Sequence, residues 1–215
     1  QAQIKYYSDS SGLNAMSSWL NNHFPDIRYN SFKVIFSPLV NGNQSANWME
    51  SNGFKEAQPH VNFPYPSGNW LKGLSVKAAN IRRSDIIFTE INHAYINPEA
   101  EKAKYDALMA KAFNNMSAWV TKGTTAANNY GNKYSCFEEY MNWVLVSLRY
   151  VDQAPAAELE NLLKQNDAYM LRRGFTKFPA FNSFMVDLYK NRPKGATLAS
   201  LYPQILEWFI KEDAK

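Results

Sequence analysis

The residues of this sequence with the clearest potential for chemistry are Glu90 and His93, in the segment Thr89-Glu90-Ile91-Asn92-His93. Two histidines four positions apart project from one face of a helix, where their neutral imidazoles bind zinc. A glutamate directly after the first histidine takes a proton from the zinc-bound water. Here Glu90 and His93 hold the positions of the base and the second histidine, while Thr89 holds the position of the first. The segment therefore matches a zinc-binding helix with one ligand position changed.

A glutamate three positions before a histidine is by itself a weak signal, because many helices with one histidine contain such a pair. In the alternative interpretation, His93 is a hydrogen-bonded histidine at the edge of the core and Glu90 is a solvated or capping residue. These five positions alone do not decide between a chemical site and an ordinary helix.

The longer segment 88–98 (Phe-Thr-Glu-Ile-Asn-His-Ala-Tyr-Ile-Asn-Pro) resembles a family of zincin-like proteins catalogued as domain of unknown function 4932. In that family a His-Glu-x-x-His helix is followed by an aromatic residue and Asn-Pro. Further stretches that resemble the family are 34–39 (Val-Ile-Phe-Ser-Pro-Leu), 137–140 (Phe-Glu-Glu-Tyr), 189–193 (Tyr-Lys-Asn-Arg-Pro) and Tyr202-Pro203. The resemblance spans most of the chain from about Phe32 onward.

The resemblance implies a third zinc ligand of the gluzincin type, a glutamate on a second helix. Glu139 matches that position best, and Glu138 is the alternate. The implied metal ligands are then His93, Glu139 and the position of Thr89, with Glu90 as the catalytic residue. In the ordinary structural interpretation, Glu138 and Glu139 are acidic residues near a helix start, stabilised by the helix dipole.

Thr89 weakens the case for catalysis, because a neutral hydroxyl is a poor zinc ligand compared with an imidazole. Even the loss of groups that only orient a ligand costs about 10- to 100-fold in metal affinity or activity. We therefore expect weak or absent zinc binding and a degenerate zincin-like homologue that binds a peptide or protein. Binding of a peptide requires a cleft with an apolar lining. Trp70, Tyr95 and Trp143 are aromatic residues that either line this cleft or belong to the core.

Three alternatives stay open at this stage. His60, in Gln58-Pro59-His60, supplies the missing nitrogen if it folds over the helix. An active metal-dependent peptidase or hydrolase uses an unusual ligand set, with a metal that favours carboxylate and water. In the third alternative, the protein is a helical interaction domain without metal, and Glu90, His93 and Glu139 have no chemical role.

The sequence predicts an α+β fold that is mostly helical, with a small N-terminal mixed or antiparallel sheet and a bundle of about six helices. We expect one domain, 1–215, with a sheet-containing part over 1–83 and a helical part over 84–215. Apolar spacing predicts a first helix from about Leu13 to Phe24. Strands are expected at 32–36, 61–63 and 74–76, with turns at 41–43 and 64–68.

The six bundle helices follow from apolar periodicity and capping residues. Ser84 is the expected N-cap of the motif helix and Asn97-Pro98 its stop. Gly174 is the expected C-terminal cap of another helix. The segment 123–131, rich in Thr and Asn, is expected to be a loop. The other helices are expected at 105–119, 137–150, 155–172, 179–189 and 198–210.

Composition limits the classes of function. The 215 residues are 46% hydrophobic, enough for one sizeable core, and their net charge of +4 is too small a bias to indicate nucleic acid. No apolar run approaches the roughly 20 residues that span a bilayer. Cys136 is the one cysteine, so it forms no internal disulfide and is expected to be buried. The chain starts at Gln1 without an initiator methionine, from which we expect an exported protein.

Overall fold

The computed structural model describes residues 1–2, 4–5, 12–40, 44–62 and 68–214. The fold is mostly helical with one small sheet, as the sequence predicted. Over the ranges 12–40, 44–62 and 68–214 the strands are β1 Ser31–Phe32, β2 Ile35–Phe36, β3 Ser45–Ser51 and β4 Phe54–Val61. The α-helices are α1 Leu13–His23, α2 Val76–Arg83, α3 Asp85–Ala100, α4 Asp106–Ala112, α5 Thr125–Asn129, α6 Lys133–Gln153, α7 Ala156–Arg173, α8 Phe178–Lys190 and α9 Leu198–Asp213.

The sheet is built around β4. Strands β1 and β2 pair with one edge of β4 in parallel, and β3 pairs with the other edge in antiparallel orientation. The sheet is therefore mixed, and the antiparallel alternative was wrong. Only β3 reaches β4 through a tight hairpin, whose Asn52 and Gly53 have φ angles of 50° and 79°. Both are values that a two-residue hairpin turn requires.

The expected strand 32–36 is split into β1 and β2. The register pairs Phe32 with Ala57 and Ile35 with His60, so the gap lies opposite Gln58 and Pro59. Pro59 has no N–H to donate to the parallel ladder, which explains the interruption. The expected strand 61–63 corresponds to the end of β4 at Val61, while Phe63 and the turn positions 41–43 and 64–67 lie outside the described residues.

Segment 74–76 was expected to be a strand, but it begins α2. The Ser75 hydroxyl accepts a hydrogen bond from the Ala78 N–H at 3.3 Å, which makes Ser75 the N-cap. The Glu158 carboxylate accepts hydrogen bonds from the Ser75 N–H and hydroxyl, both at 2.6 Å. Cap chemistry and the contact with α7 outweigh the strand pattern.

The motif helix α3 passes through its expected stop and ends at Ala100. Pro98 cannot donate to the carbonyl of Ala94, but the Tyr29 hydroxyl donates to that carbonyl at 2.6 Å. The acceptor that a proline normally leaves unpaired is thus satisfied from another element, and the helix continues.

From Asp85 onward there are seven α-helices in the described chain instead of the expected six. The expected helix 105–119 is broken, because the Asp213 carboxylate accepts hydrogen bonds from the Asn115 N–H and, at 2.7 Å, from the Trp119 indole. The expected loop 123–131 contains α5, capped by Thr124. The helices α6 to α9 occur where they were expected, and Gly174 caps α7 with a φ of 105°.

The helices α3 and α6 pack against each other at the centre of the fold, and α3 also packs on β3 and β4. Most side chains of α6 are buried, including Cys136, as expected. No helix in the described part of the chain is long and apolar enough to cross a membrane. The packing of α3 against α6 therefore places Glu90 and His93 next to the Glu138-Glu139 pair.

Candidate functional site

The predicted site residues meet in one cleft of about 380 Å³ between α3, α6 and the start of β3. Glu90 and His93 reach it from α3, and Glu138 and Glu139 reach it from α6. The two pairs lie on different helices and 46 residues apart, counting from His93 to Glu139, so packing of α3 against α6 is what brings them together. Among the two glutamates, Glu139 is the one that contacts His93.

His93 is oriented by groups on both helices. Its Nδ1 lies 3.1 Å from Asn97 Oδ1, one turn later on α3. Its Nε2 lies 3.5 Å from Glu139 Oε2 and 3.0 Å from Asn142 Nδ2. Burial alone lowers the pKa of His93, but the hydrogen bond and charge of Glu139, together with Glu90, raise it to about 9.

The Asn142 amide and the Glu139 carboxylate favour different protonation states of His93. The amide, as oriented, donates to a neutral Nε2, whereas the carboxylate stabilises the imidazolium. We favour the imidazolium, because the ionised Glu139 faces Nε2 and because turning the carboxamide over presents Asn142 Oδ1, a buried atom without a hydrogen-bond partner among the described residues. The turn gives up the long contact of Asn142 Nδ2 with Glu139 Oε2 at 3.5 Å. In that arrangement both ring nitrogens of His93 donate.

Glu139 is the anion at the centre of the site, 3% exposed. Its Oε1 lies 2.5 Å from Arg173 Nη2 and accepts a hydrogen bond from the Trp143 indole at 3.0 Å. Burial raises its pKa, but Arg173 and His93 outweigh that effect and lower the pKa to about 2. Glu139 is therefore ionised and held by two cations.

Arg173 is the site residue that sequence reasoning missed, since Arg172-Arg173 counted only as a local density of charge. It lies in the last turn of α7, immediately before the Gly174 cap. Its guanidinium carbon lies 5.5 Å from the ring centres of Tyr130 and Trp143, and 5.6 Å from that of Tyr169. These aromatic faces hold the cation in place next to Glu139.

Two further carboxyl groups line the cleft. Glu90 is half-buried and its Oε1 accepts a hydrogen bond from the Thr89 hydroxyl at 3.5 Å, whereas Glu138 is buried. Burial and the nearby Glu139 raise the pKa of Glu90 to about 7, although His93 and Arg173 act in the opposite direction. Burial and the charge of Glu101 raise the pKa of Glu138 to about 7 as well. Glu138 Oε1 has no hydrogen-bond partner in the described chain. Among the described residues, the cleft thus offers one carboxyl oxygen, Glu138 Oε1, that no protein group satisfies.

The donor set is a poor fit to a tetrahedral zinc ion, which takes three protein ligands and a water in catalytic sites. The Thr89 hydroxyl donates to the Ile86 carbonyl at 2.7 Å, within its own helix turn. Arg173 occupies one oxygen of Glu139 as a competing cation. No three His, Cys, Asp or Glu side chains among the described residues form a group that could hold a metal.

His60 does not supply the missing nitrogen. Along β4 the residues Ala57, Pro59 and Val61 are buried towards α3, so His60 points to the opposite face of the sheet. His23 is also elsewhere, with its Nε2 3.1 Å from the Tyr189 hydroxyl.

Of the aromatic residues considered for the cleft, Trp143 contributes to its lining. Trp70 lines an adjoining pocket, whereas Tyr95 is fully buried in the core. The site thus contains one of the three aromatic residues, and a second lies beside it.

The wider comparison gives no relative, because no protein-family model, curated protein or solved structure that was compared with this chain matches it. The resemblance to zincin-like proteins is therefore a prediction from the residues of the motif segment and the stretches that accompany it.

Proposed function

We propose that this protein is a peptide-binding module with a degenerate zincin-like site. An extended segment of a partner pairs with the outer edge of β3, and one of its side chains enters the cleft beside Glu90, His93 and Glu139. The proposal rests on one observation above all, that an exposed edge strand and this charged cleft are adjacent.

The backbone of β3 is suited to pairing. The Lys33 N–H donates to the Ala57 carbonyl at 2.9 Å, so Ala57 directs its backbone groups towards β1 and away from β3. Trp48, the partner of Ala57 across the hairpin, therefore belongs to a non-hydrogen-bonded pair and directs its own N–H and C=O outward, as does Ala46. Within the described residues, β3 has a strand partner on one side only. Its outer edge is a template for an added strand.

The side chains of β3 connect this edge to the cleft. Gln44, Ala46 and Trp48 alternate onto the face of the sheet that lies over α3, and all three line the cleft. Trp48 is 41% exposed, a large apolar surface at the rim. A segment added to β3 would therefore pass directly above Glu90 and His93.

The charged groups favour binding over hydrolysis. Zinc lowers the pKa of a bound water and so creates the nucleophile of a metallopeptidase. Here a guanidinium and an imidazolium, which cannot play that role, surround Glu139. Glu138 Oε1, which has no hydrogen-bond partner among the described residues, accepts a hydrogen bond from a basic or amide side chain of the partner.

The test is selection of binders from a phage-displayed library of random 12-residue peptides, followed by fluorescence polarisation with the selected peptides. Ala46→Pro removes one outward N–H at an edge position that tolerates proline, so we expect about tenfold weaker binding. Ala46→Val keeps the N–H and is the matched control, with less than about threefold change. Unchanged melting temperatures show that both variants fold. A library that yields no binder, or full affinity in Ala46→Pro, overturns the proposal.

A further inference from the structure

A second pocket of about 460 Å³ continues from the cleft, past the start of β3. It shares four lining residues with the cleft, which are Gln44, Ile86, Trp143 and Tyr169. Its remaining walls come from Trp70, Arg82, Arg83, Asp85 and Arg172. The two pockets are thus parts of one groove, and Gln44 marks the end of β3 where they meet.

The second pocket has a surplus of positive charge. It contains three arginines and one acid, Asp85, and that acid is shared with a further arginine, Arg149, at 2.8 Å. Arg172 is exposed, and no carboxylate among the described residues lies within ion-pair distance of it. The cleft is richer in acidic groups, with the carboxyls of Glu90, Glu138 and Glu139 beside His93 and Arg173.

Aromatic rings hold two of these guanidinium groups. The carbon at the centre of the Arg82 guanidinium lies 5.7 Å from the Trp70 ring centre, and that of Arg172 lies 6.0 Å from the Tyr169 ring centre. Arg82 is also fixed by Asp85 and by the Tyr150 hydroxyl at 3.0 Å, and its buried Nε has no hydrogen-bond partner in the described chain. Arg82 is thus bound mainly to groups of the protein, whereas the exposed Arg172 presents a planar N–H edge, which matches a carboxylate.

We infer that this second pocket binds an acidic side chain of the peptide that pairs with β3. The inference rests on the proposed function and adds the chemical class of the bound segment. Residues on one face of a strand recur about every 7 Å, so the acidic residue lies about two to four positions from the residue above Glu90 and His93. It is placed towards the Gln44 end of β3, because the two pockets meet there.

The experiment uses the full chain and peptides selected by phage display. Each Asp or Glu of a selected peptide is changed to Asn or Gln, and affinities are measured for the wild type and for Arg172→Gln. We expect one acidic position to matter, with about tenfold weaker binding after its neutralisation, and the same loss in Arg172→Gln. Combining the peptide change with Arg172→Gln should add little further loss of affinity, as in a double-mutant cycle of two interacting groups. Lys211→Gln is the matched control, since it removes the same charge from the exposed end of α9.

The outcomes separate this inference from the proposed function. Peptide binding that is sensitive to Ala46→Pro but indifferent to peptide acids and to Arg172→Gln overturns the acidic-residue inference alone. Absence of any peptide binding overturns both. Binding of a single-stranded oligonucleotide that is lost in Arg172→Gln, without peptide binding, also overturns both and assigns the arginines to phosphate. If Lys211→Gln loses as much peptide affinity as Arg172→Gln, the effect comes from net charge alone, and the inference is overturned.

Discussion

Two buried charged clusters connect α3 with α6, and they differ in how completely their acids are paired. Asp85 accepts from Arg149 at 2.8 Å through one oxygen, and from Arg82 and the Tyr150 hydroxyl through the other. The second cluster is the cleft, which α3 reaches at Glu90, five residues after Asp85. The cleft contains three carboxyl groups, and only that of Glu139 has a full set of hydrogen-bond donors. Asp85 is 2% exposed and faces the packed helix interface.

This difference separates an acid with a structural role from acids available for a ligand. A carboxylate whose oxygens are both saturated has no capacity left for a partner, and its removal leaves cations uncompensated. A buried carboxyl with few donors costs stability in its ionised form and gains from a donor that a ligand brings. The comparison predicts that substitutions in the two clusters have effects of different size and sign.

The largest effect is expected at Asp85. Asp85→Asn leaves Arg82 and Arg149 without an anion in a buried setting, and we expect a loss of about 3–5 kcal/mol in the free energy of unfolding. Urea denaturation measures it. The control is Glu160→Gln, at an exposed ion pair with Lys164, where we expect no measurable change in the free energy of unfolding. Equal effects at the two positions would show that the Asp85 cluster is not structural.

A smaller loss is expected at the centre of the cleft. Glu139→Gln removes the ion pair with Arg173, and we expect about 2–3 kcal/mol of destabilisation in the same measurement. Its sequence neighbour is the control, because Glu138 Oε1 lacks a partner among the described residues. Glu138→Gln should be neutral or stabilising. If Glu138→Gln destabilises as much as Glu139→Gln, the distinction between the two acids is wrong.

Zinc provides the third test, through the melting temperature. Wild-type protein should show no shift at zinc concentrations that stabilise Thr89→His. A ligand at 100 times its dissociation constant adds about 2.7 kcal/mol, so Thr89→His should gain up to about that amount. Thr89→His combined with Arg173→Ala should bind zinc more tightly still, because the competing cation is gone. A zinc shift in the wild type that disappears in His93→Ala would contradict the poor fit of the donor set.

The smallest effect is expected from pH at Glu90. The pKa of Glu90 is raised from 4.5 to about 7, so the folded state binds the proton more tightly than the unfolded chain. Stability attributable to this group is present below about pH 4.5 and is lost as pH rises through 7. Glu90→Gln removes that loss and should be more stable than the wild type by about 1–2 kcal/mol at pH 8, but not at pH 4.

Thermal unfolding at the two pH values measures the Glu90 effect, with Glu160→Gln as the exposed control. Glu138 and His93 act in the same direction, since the pKa of each is raised, to about 7 and about 9. Glu90→Gln therefore keeps part of the decline at high pH. A profile identical to that of the wild type would mean that Glu90 is solvated.

The parts of this molecule that the sequence predicts are those specified by neighbouring residues. The Gly174 terminus and the spacing of Glu90 and His93 are local, and they led to the right helices. Ser84 does precede α3, but its hydroxyl donates to the Ile81 carbonyl and makes no capping hydrogen bond. The predicted helix boundaries were wrong where a residue distant in the sequence hydrogen-bonds to the segment. Tyr29 satisfies the carbonyl opposite Pro98 and extends α3, and Asp213 breaks the segment around Asn115.

The site follows the same division. Glu139 was matched to its position only through the resemblance, and its contact with His93 requires α3 and α6 to pack. Arg173 was missed because its place next to Glu139 depends on where α7 ends and how it lies against α6. Which backbone groups of β3 point outward depends on the register of the hairpin, and this register cannot be predicted from the residues Ser45–Ser51 alone.

The Arg173–Glu139 pair also constrains how a metal site could evolve from this chain. Such a site needs a new ligand at Thr89 and the departure of Arg173, and the order of these changes matters. Removing Arg173 first leaves Glu139 buried without its guanidinium partner, whereas introducing the histidine first adds a ligand beside a cation that opposes metal. The two changes are therefore not additive, because the histidine reaches its full zinc affinity only when Arg173 is also gone. The ion pair therefore limits the zinc affinity that a single substitution at Thr89 can gain.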